Sequence, residues 1–231
     1  MNNPKYHFDI EQGSPEWLSQ RSGIMTASNV KLLFTPKLAI AKGQKIEALA
    51  MDMAAQRVTD FVEEFYPTLD MQRGSFDEKY AREAYEKSVS IVQEVGFVTA
   101  EFVNDKFHEV TLGYSPDGLV PDGLIEIKSR KAKLQFQTII TGKVPDEYVL
   151  QMQTGMLVTG RDYCDFVSYC AGMPLFVQRV LPDIELQKRI IEAVGEFENQ
   201  VVAFQAQYNT QSAGLEPTER IVFKPNFKEN K

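Results

Sequence analysis

Histidine and cysteine are nearly absent from this 231-residue chain, which has two of each. Two cysteines do not complete a four-thiolate zinc or iron–sulfur site. In DYCDFVSYC, Cys164 and Cys170 alternate with aromatic and apolar residues, the pattern of thiols buried on one strand face. His7 and His108 are too few for a histidine-rich metal centre or for several imidazole acid–base pairs. Any chemistry therefore falls to carboxylates and lysine. No run of eighteen apolar residues occurs, and the opening MNNPKYHFDI has neither the basic nor the apolar stretch of a signal peptide. The expectation is a cytoplasmic protein with no membrane contact. Low-complexity linkers and internal repeats are also missing, so residues 1–231 are expected to form a single domain, and the 43% hydrophobic content is enough for a sizeable core.

The net charge of -7 argues against a generally basic nucleic-acid-binding coat, but the charge is unevenly spread. Between Ile127 and Pro145 lie Lys128, Arg130, Lys131, Lys133 and Lys143 with no acidic residue among them, and the tail RIVFKPNFKENK is basic as well. A solvated helix face carries such runs as readily as a phosphate-binding surface does.

Helical signals open the chain. Pro15 in GSPEWLSQR suits the first turn of a short helix, and Thr26 or Ser28 in MTASNVKLLF suits the cap of the next. Good helix formers at helical spacing run from Gly43 to Val62, and a second long helix is expected after Gly74, through FDEKYAREAYEKSVSIV. Residues 97 to 128 change period: FVTAEFV, KFHEVTLGYS, GLV and LIEIK are short, separated by turn residues, and read as successive antiparallel strands. KLQFQTIITG and DEYVLQMQTGMLVTG read as helices, DFVSYCAG and LFVQRVLP as strands, and Asp183 as the cap of a last helix to about Tyr208. The fold class expected is α/β or α+β, a mixed central sheet flanked by helices.

One stretch carries chemistry. GYSPDGLVPDGLIEIK places Glu126 and Lys128 on one face of a strand, with Ile125 and Ile127 on the other. Asp117, in the first Pro-Asp-Gly turn, reaches Glu126 if the second such turn folds the segment back. Close carboxylates repel unless a cation lies between them, and Mg²⁺ binds one or two carboxylates together with substrate phosphate. Lys128 is then placed to hold or deprotonate an attacking water. The plainer reading is a common turn followed by an exposed salt bridge. Glu78 shares a helical stripe with Ala81, Tyr85, Val89 and Val92, and is either a buried carboxylate needing a partner or a helix-start charge. Gln153 shares one with Val149, Met152 and Met156, and its amide serves a site or the backbone.

Asp117 followed by Glu126-Ile127-Lys128 resembles the PD-(D/E)xK nuclease motif. With Trp17, Arg21-Ser22-Gly23-Ile24-Met25-Thr26-Ala27-Ser28, the pair Gly74 and Glu78, and Gln151-Met152-Gln153, the chain resembles the phage lambda exonuclease and YqaJ-like viral recombinase family from about residue 12 to about 159. The segment Ser129-Arg130-Lys131-Ala132-Lys133 lacks the Cys-Pro of the lambda enzyme, and the loop between Phe34 and Gln44 also departs from the pattern.

The resemblance implies a restriction-endonuclease-like core and a processive 5′→3′ exonuclease on linear double-stranded DNA. Such an enzyme releases mononucleotides and leaves 3′ single-stranded tails for recombination. It implies two Mg²⁺ ions per site, with Mn²⁺ as a substitute, a homotrimeric ring, a single-strand annealing protein as partner and a phage or prophage source. By position, Asp117, Glu126 and the carbonyl of Ile127 are metal ligands supported by Glu78. Lys128 orients the water, and Gln153 holds it or the scissile phosphate. Arg21, Ser28 and Ser115 receive the 5′-phosphate, and Arg130, Lys131 and Lys133 contact backbone phosphates. An endonuclease or junction resolvase on the same core is the alternative enzyme. A DNA-end-binding module with a charged strand edge is the non-enzymatic one.

Overall fold

The computed structural model describes residues 3–62, 68–104 and 106–221. Most of the basic tail, from residue 222 onward, lies outside these.

Eight strands form two four-stranded mixed sheets among the described residues, rather than the one central sheet expected. In the first, β1 (Lys5–His7), β3 (Phe97–Asn104) and β4 (Phe107–Tyr114) are antiparallel, and β2 (Met25–Thr26) runs parallel to β4 at the edge. The second has the order β5 (Gly118–Leu119), β6 (Gly123–Ser129), β7 (Tyr163–Tyr169) and β8 (Phe176–Val180), with β6 and β7 parallel. The chain crosses from one sheet to the other at Ser115-Pro116-Asp117, where a proline cannot donate to either ladder.

Helices cover both sheets. Pro15 occupies the first turn of α1 (Pro15–Arg21), and Ser14 caps it by accepting the Trp17 N–H. The next helix is a single turn, α2 (Ala27–Val30), and Thr26 sits at its cap without a capping side-chain bond. α3 (Gln44–Thr59) stops short of Val62 because Asp60 takes a left-handed conformation. α4 (Leu69–Ser88) starts before Gly74 rather than after it, with Thr68 accepting the Met71 N–H, and it runs through that glycine. α5 (Ala132–Thr141) and α6 (Val149–Thr159) form the crossover between β6 and β7, and α7 (Ile184–Gln211) begins at the Asp183 cap. Among the described residues no helix is long and apolar enough to cross a membrane.

The alternation on β6 decides the layers. Leu124 packs with Cys164 and Phe166 into the main core beneath α3, α6 and α7. Ile125 and Ile127 face the other way, against Ala81 and Tyr85 of α4. A strand covered on both faces is buried along most of its length, so a charge on it lies inside the molecule. Cys164 is buried as expected, whereas Cys170 falls beyond the end of β7 and is half-exposed.

Candidate active site

On the Leu124 face of β6, Glu126 is 1% exposed. The Lys128 ammonium donates to its Oε1 at 2.5 Å, and the Tyr114 hydroxyl donates to its Oε2 at 2.8 Å. Both carboxylate oxygens are thus held, and the plainer reading of an exposed salt bridge is excluded. Tyr114 reaches Glu126 because α6 carries Gly155 against its ring, where a Cβ would come within 2.8 Å of ring carbons. Asp117 sits beside this pair. β5 and β6 pair antiparallel, Gly118 opposite Ile125, and the Ile127 N–H donates to Asp117 Oδ2 at 2.6 Å.

Glu78 approaches from α4. Seven residues on, Tyr85 is fully buried and donates to Asp165 Oδ2 on β7 at 2.7 Å. Two helical turns separate Glu78 from that anchor, so both lie on the face turned to the second sheet. Glu78 is half-buried rather than core, and its stripe ends early because Val89 is exposed past the helix end. Its carboxylate accepts from Arg82 at 2.5 Å, and Arg82 also holds Glu94.

The electrostatics are those of crowded carboxylates. Burial, then Glu126, push the Asp117 carboxyl well above its usual range, with Glu78 adding and Lys128 opposing. Burial also raises Glu78 against the pull of Arg82. For Lys128, burial works to strip the proton, but Glu126 and Asp117 outweigh it and the ammonium is held more firmly than usual. The ammonium form is thus the one that meets Glu126 in this arrangement. Among the described residues no three acidic, histidine or cysteine side chains are already gathered as a metal-binding group. The donor set still fits a hard divalent cation: Asp117 lacks a full counter-charge, Glu126 is adjacent, and a cation between them relieves the repulsion that raises Asp117.

A pocket of about 160 Å³ opens beside Tyr114 and Ser115. Its lining includes Trp17, Arg21, Ser28, Ser115 and Gln151. The Arg21 guanidinium stacks over the Trp17 ring at 4.0 Å and donates to Ser115 Oγ at 2.9 Å, while the Trp17 indole N–H donates to the same oxygen at 2.8 Å. With two donors on its oxygen, the Ser115 hydroxyl has its own proton free to give to a ligand. Burial pulls the Arg21 pKa down to about 10, so at neutral pH it stays a cation. Among the described residues no carboxylate forms an ion pair with Arg21, and the pocket has the chemistry of an anion receptor.

A family model, the YqaJ-like viral recombinase domain, matches residues 16–162. The chain belongs to this family. It is similar to an alkaline exonuclease from Laribacter hongkongensis, LHK-Exo, at 35% identity and a TM-score of 0.73, covering 88% of this chain and 100% of that one. LHK-Exo in complex with dAMP aligns at 34% identity with a TM-score of 0.72 and the same coverage. A phage-related exonuclease from Haemophilus somnus shares the fold at 16% identity, with a TM-score of 0.50 over 84% of this chain and 96% of that one. No curated protein matches the sequence. The family and its exonuclease relatives make the chain a nuclease.

Within this YqaJ-like domain Gln153 and Arg130 have internal partners of their own. Gln153 is buried, but its amide is committed elsewhere: Nε2 donates to the Leu181 carbonyl and Oε1 accepts the Asp183 N–H, both at 2.8 Å. It fastens α6 to the start of α7. Gln151, two residues earlier and so on a different face, lines the pocket with Arg21. Arg130 is 6% exposed and donates to the Tyr148 hydroxyl at 2.7 Å and to Glu147, with its Nε lacking a protein partner, so it is an interior group and not a surface phosphate contact. Lys131 is exposed and paired with Asp70, and Lys133 is exposed. Tyr114 and Gln151 were missed as site residues. The tyrosine lies on the core face of β4 and its sequence context gives no polar signal, whereas Gln151 stood in the family pattern.

Proposed function

We propose that this nuclease is a Mg²⁺-dependent 5′→3′ exonuclease on linear double-stranded DNA that removes the 5′ strand one nucleotide at a time. The observation that carries the reading is the spacing of two sites on one short segment. Ser115 belongs to the anion pocket and Asp117 to the carboxylate site, with only Pro116 between them. Two residues of extended chain span at most about 7 Å. A terminal phosphate held by Arg21, Ser28 and Ser115 therefore leaves the next phosphodiester near Asp117, Glu126 and Lys128. The relative LHK-Exo binds dAMP, a single nucleotide, which agrees with that step length.

Asp117, Glu126 and the Ile127 carbonyl would hold Mg²⁺, with Mn²⁺ as a substitute and Glu78 supporting a second ion. A pair of such ions supplies an activated water and neutralises the leaving oxygen. The chain's own groups do the rest. Tyr114 and Lys128 orient Glu126, and the Lys128 ammonium donates to the water or the scissile phosphate. Arg21 and Ser115 fix the strand end. The products are mononucleotides and a 3′ single-stranded tail, the substrate a single-strand annealing partner takes up in recombination. A homotrimeric ring around the duplex accounts for processivity in this reading.

The deciding experiment follows acid-soluble nucleotide release from linear 5′-phosphorylated duplex with Mg²⁺, beside a closed circle and an EDTA control. Digestion of the linear form alone, abolished by EDTA, is expected. Nicking of the circle favours the endonuclease or resolvase alternative, and binding of ends without release leaves only an end-binding module.

A further inference from the structure

The turn that delivers Arg21 to the anion pocket is gripped by side chains of α3. Gly23 follows Arg21 by two residues and takes φ of +66°. Its N–H donates to Gln56 Oε1 at 3.1 Å, and its carbonyl accepts from Arg57 Nε at 2.8 Å. Both backbone groups of one residue are thus held by consecutive side chains in the last turns of α3. The remaining Arg57 nitrogens form a bidentate pair with Glu198 of α7, at 2.5 and 2.8 Å, and the Glu198 side chain is only 7% exposed. The fit is close: a Cβ on Gly23 would stand 2.5 Å from Arg57 Cγ.

None of Gln56, Arg57 and Glu198 lines the anion pocket. Stapling α3 to α7 needs only the ion pair; it does not require Arg57 to spend its Nε on the Gly23 carbonyl or its neighbour to take the N–H. A planar guanidinium that bonds a backbone oxygen on one edge and a carboxylate on the other transmits the position of α7 to the turn. We infer that Arg57, braced by Glu198, is a positioning residue that fixes the Gly23 turn and thereby places Arg21 for a terminal phosphate. The inference rests on the proposed role of Arg21 for its functional consequence, and on the hydrogen bonds for its structural one.

Trp17 reports on it directly, being the only tryptophan in the chain and stacked under Arg21. Arg57→Ala removes the clamp. Glu198→Gln keeps the shape while removing the charge, and so remains informative if Arg57→Ala does not fold. In both, Trp17 emission should shift to the red and be quenched faster by acrylamide, because Arg21 leaves the ring. On linear duplex with a 5′-phosphate, KM should rise about tenfold, as expected for a displaced charge-assisted hydrogen bond. The turnover number, and both constants for release of the first nucleotide from 5′-hydroxyl ends, should stay near those of the unsubstituted protein. Unchanged Trp17 emission, or equal losses at both kinds of end, would overturn the positioning role and leave a helix staple. Equal KM for both ends in the unsubstituted protein would instead sink the phosphate role of Arg21, while a Trp17 shift would still establish the clamp.

Discussion

Asp117 is the least compensated charge in the site. Lys128 bonds directly to Glu126, so the nearest donor to Asp117 is the neutral N–H of Ile127. Its folded pKa is raised by burial and then by Glu126. The folded state consequently holds the proton more tightly than the unfolded chain, and stability falls as pH climbs from the ordinary value of 3.8 through the raised one. Asp117→Asn keeps an acceptor for Ile127 and removes the charge. At neutral pH without metal, the variant should melt higher by about 2–4 °C per kcal/mol recovered, and the gain should vanish near pH 3. Added Mg²⁺ should raise the melting temperature of the unsubstituted protein only, since a ligand stabilises the state that binds it. Calorimetry showing a lower melting temperature for metal-free Asp117→Asn would mean that its charge is satisfied. At this scale the strand period alone paired Glu126 with Lys128, and the Pro-Asp-Gly turn placed Asp117. Arg21 and Ser115 meet across 94 positions, a distance no local period encodes, and only the family resemblance pointed to them.

Helix α6 shows how burial and function separate within one element. Its apolar stripe includes Gln153, and the stripe rule correctly marked that amide as buried, but a buried amide on the core face finds backbone partners. Gln151 lies about 200° around the helix from it and lines the anion pocket. Gln153→Ala should leave the Leu181 carbonyl and Asp183 N–H unpaired, costing about 1–3 kcal/mol, with kcat little changed. Gln151→Ala should keep the melting temperature and lower the rate on 5′-phosphorylated ends. The reverse pattern in paired melting and kinetic measurements would restore Gln153 to the site. Element existence was legible for every long helix and for β3, β4, β6, β7 and β8. Boundaries were less so: α4 gained its first turn because Thr68 caps it, and Gly74 is tolerated inside. The short strands β1 and β2 carry too few residues for alternation to register, and exist because β3 and β4 offer them edges.

At the scale of the whole molecule, a chain of net charge -7 has to work on a polyanion. Long-range attraction is therefore weak, and the exposed Lys131, Lys133 and Lys143 could add only local attraction. Two of the cations in the basic run, Lys128 and Arg130, are spent inside on Glu126 and Tyr148. A protein that held duplex by such sparse ion pairs alone would dissociate quickly as salt rises. In the proposed homotrimeric ring that requirement would fall away, because DNA threaded through three subunits would be retained by topology while charge would affect mainly the first encounter. Apolar side chains left exposed on one subunit, among them Phe76 on α4 and Phe136 and Ile140 on α5, are compatible with burial between copies. Light scattering should then return three times the 26.2 kDa of one chain. Raising salt should slow the start of digestion steeply, while duplex already engaged should continue to be degraded after a heparin challenge. A single-chain mass, with digestion halting at once on challenge, would replace the ring by a distributive monomer and leave the two-site step at Ser115 and Asp117 intact.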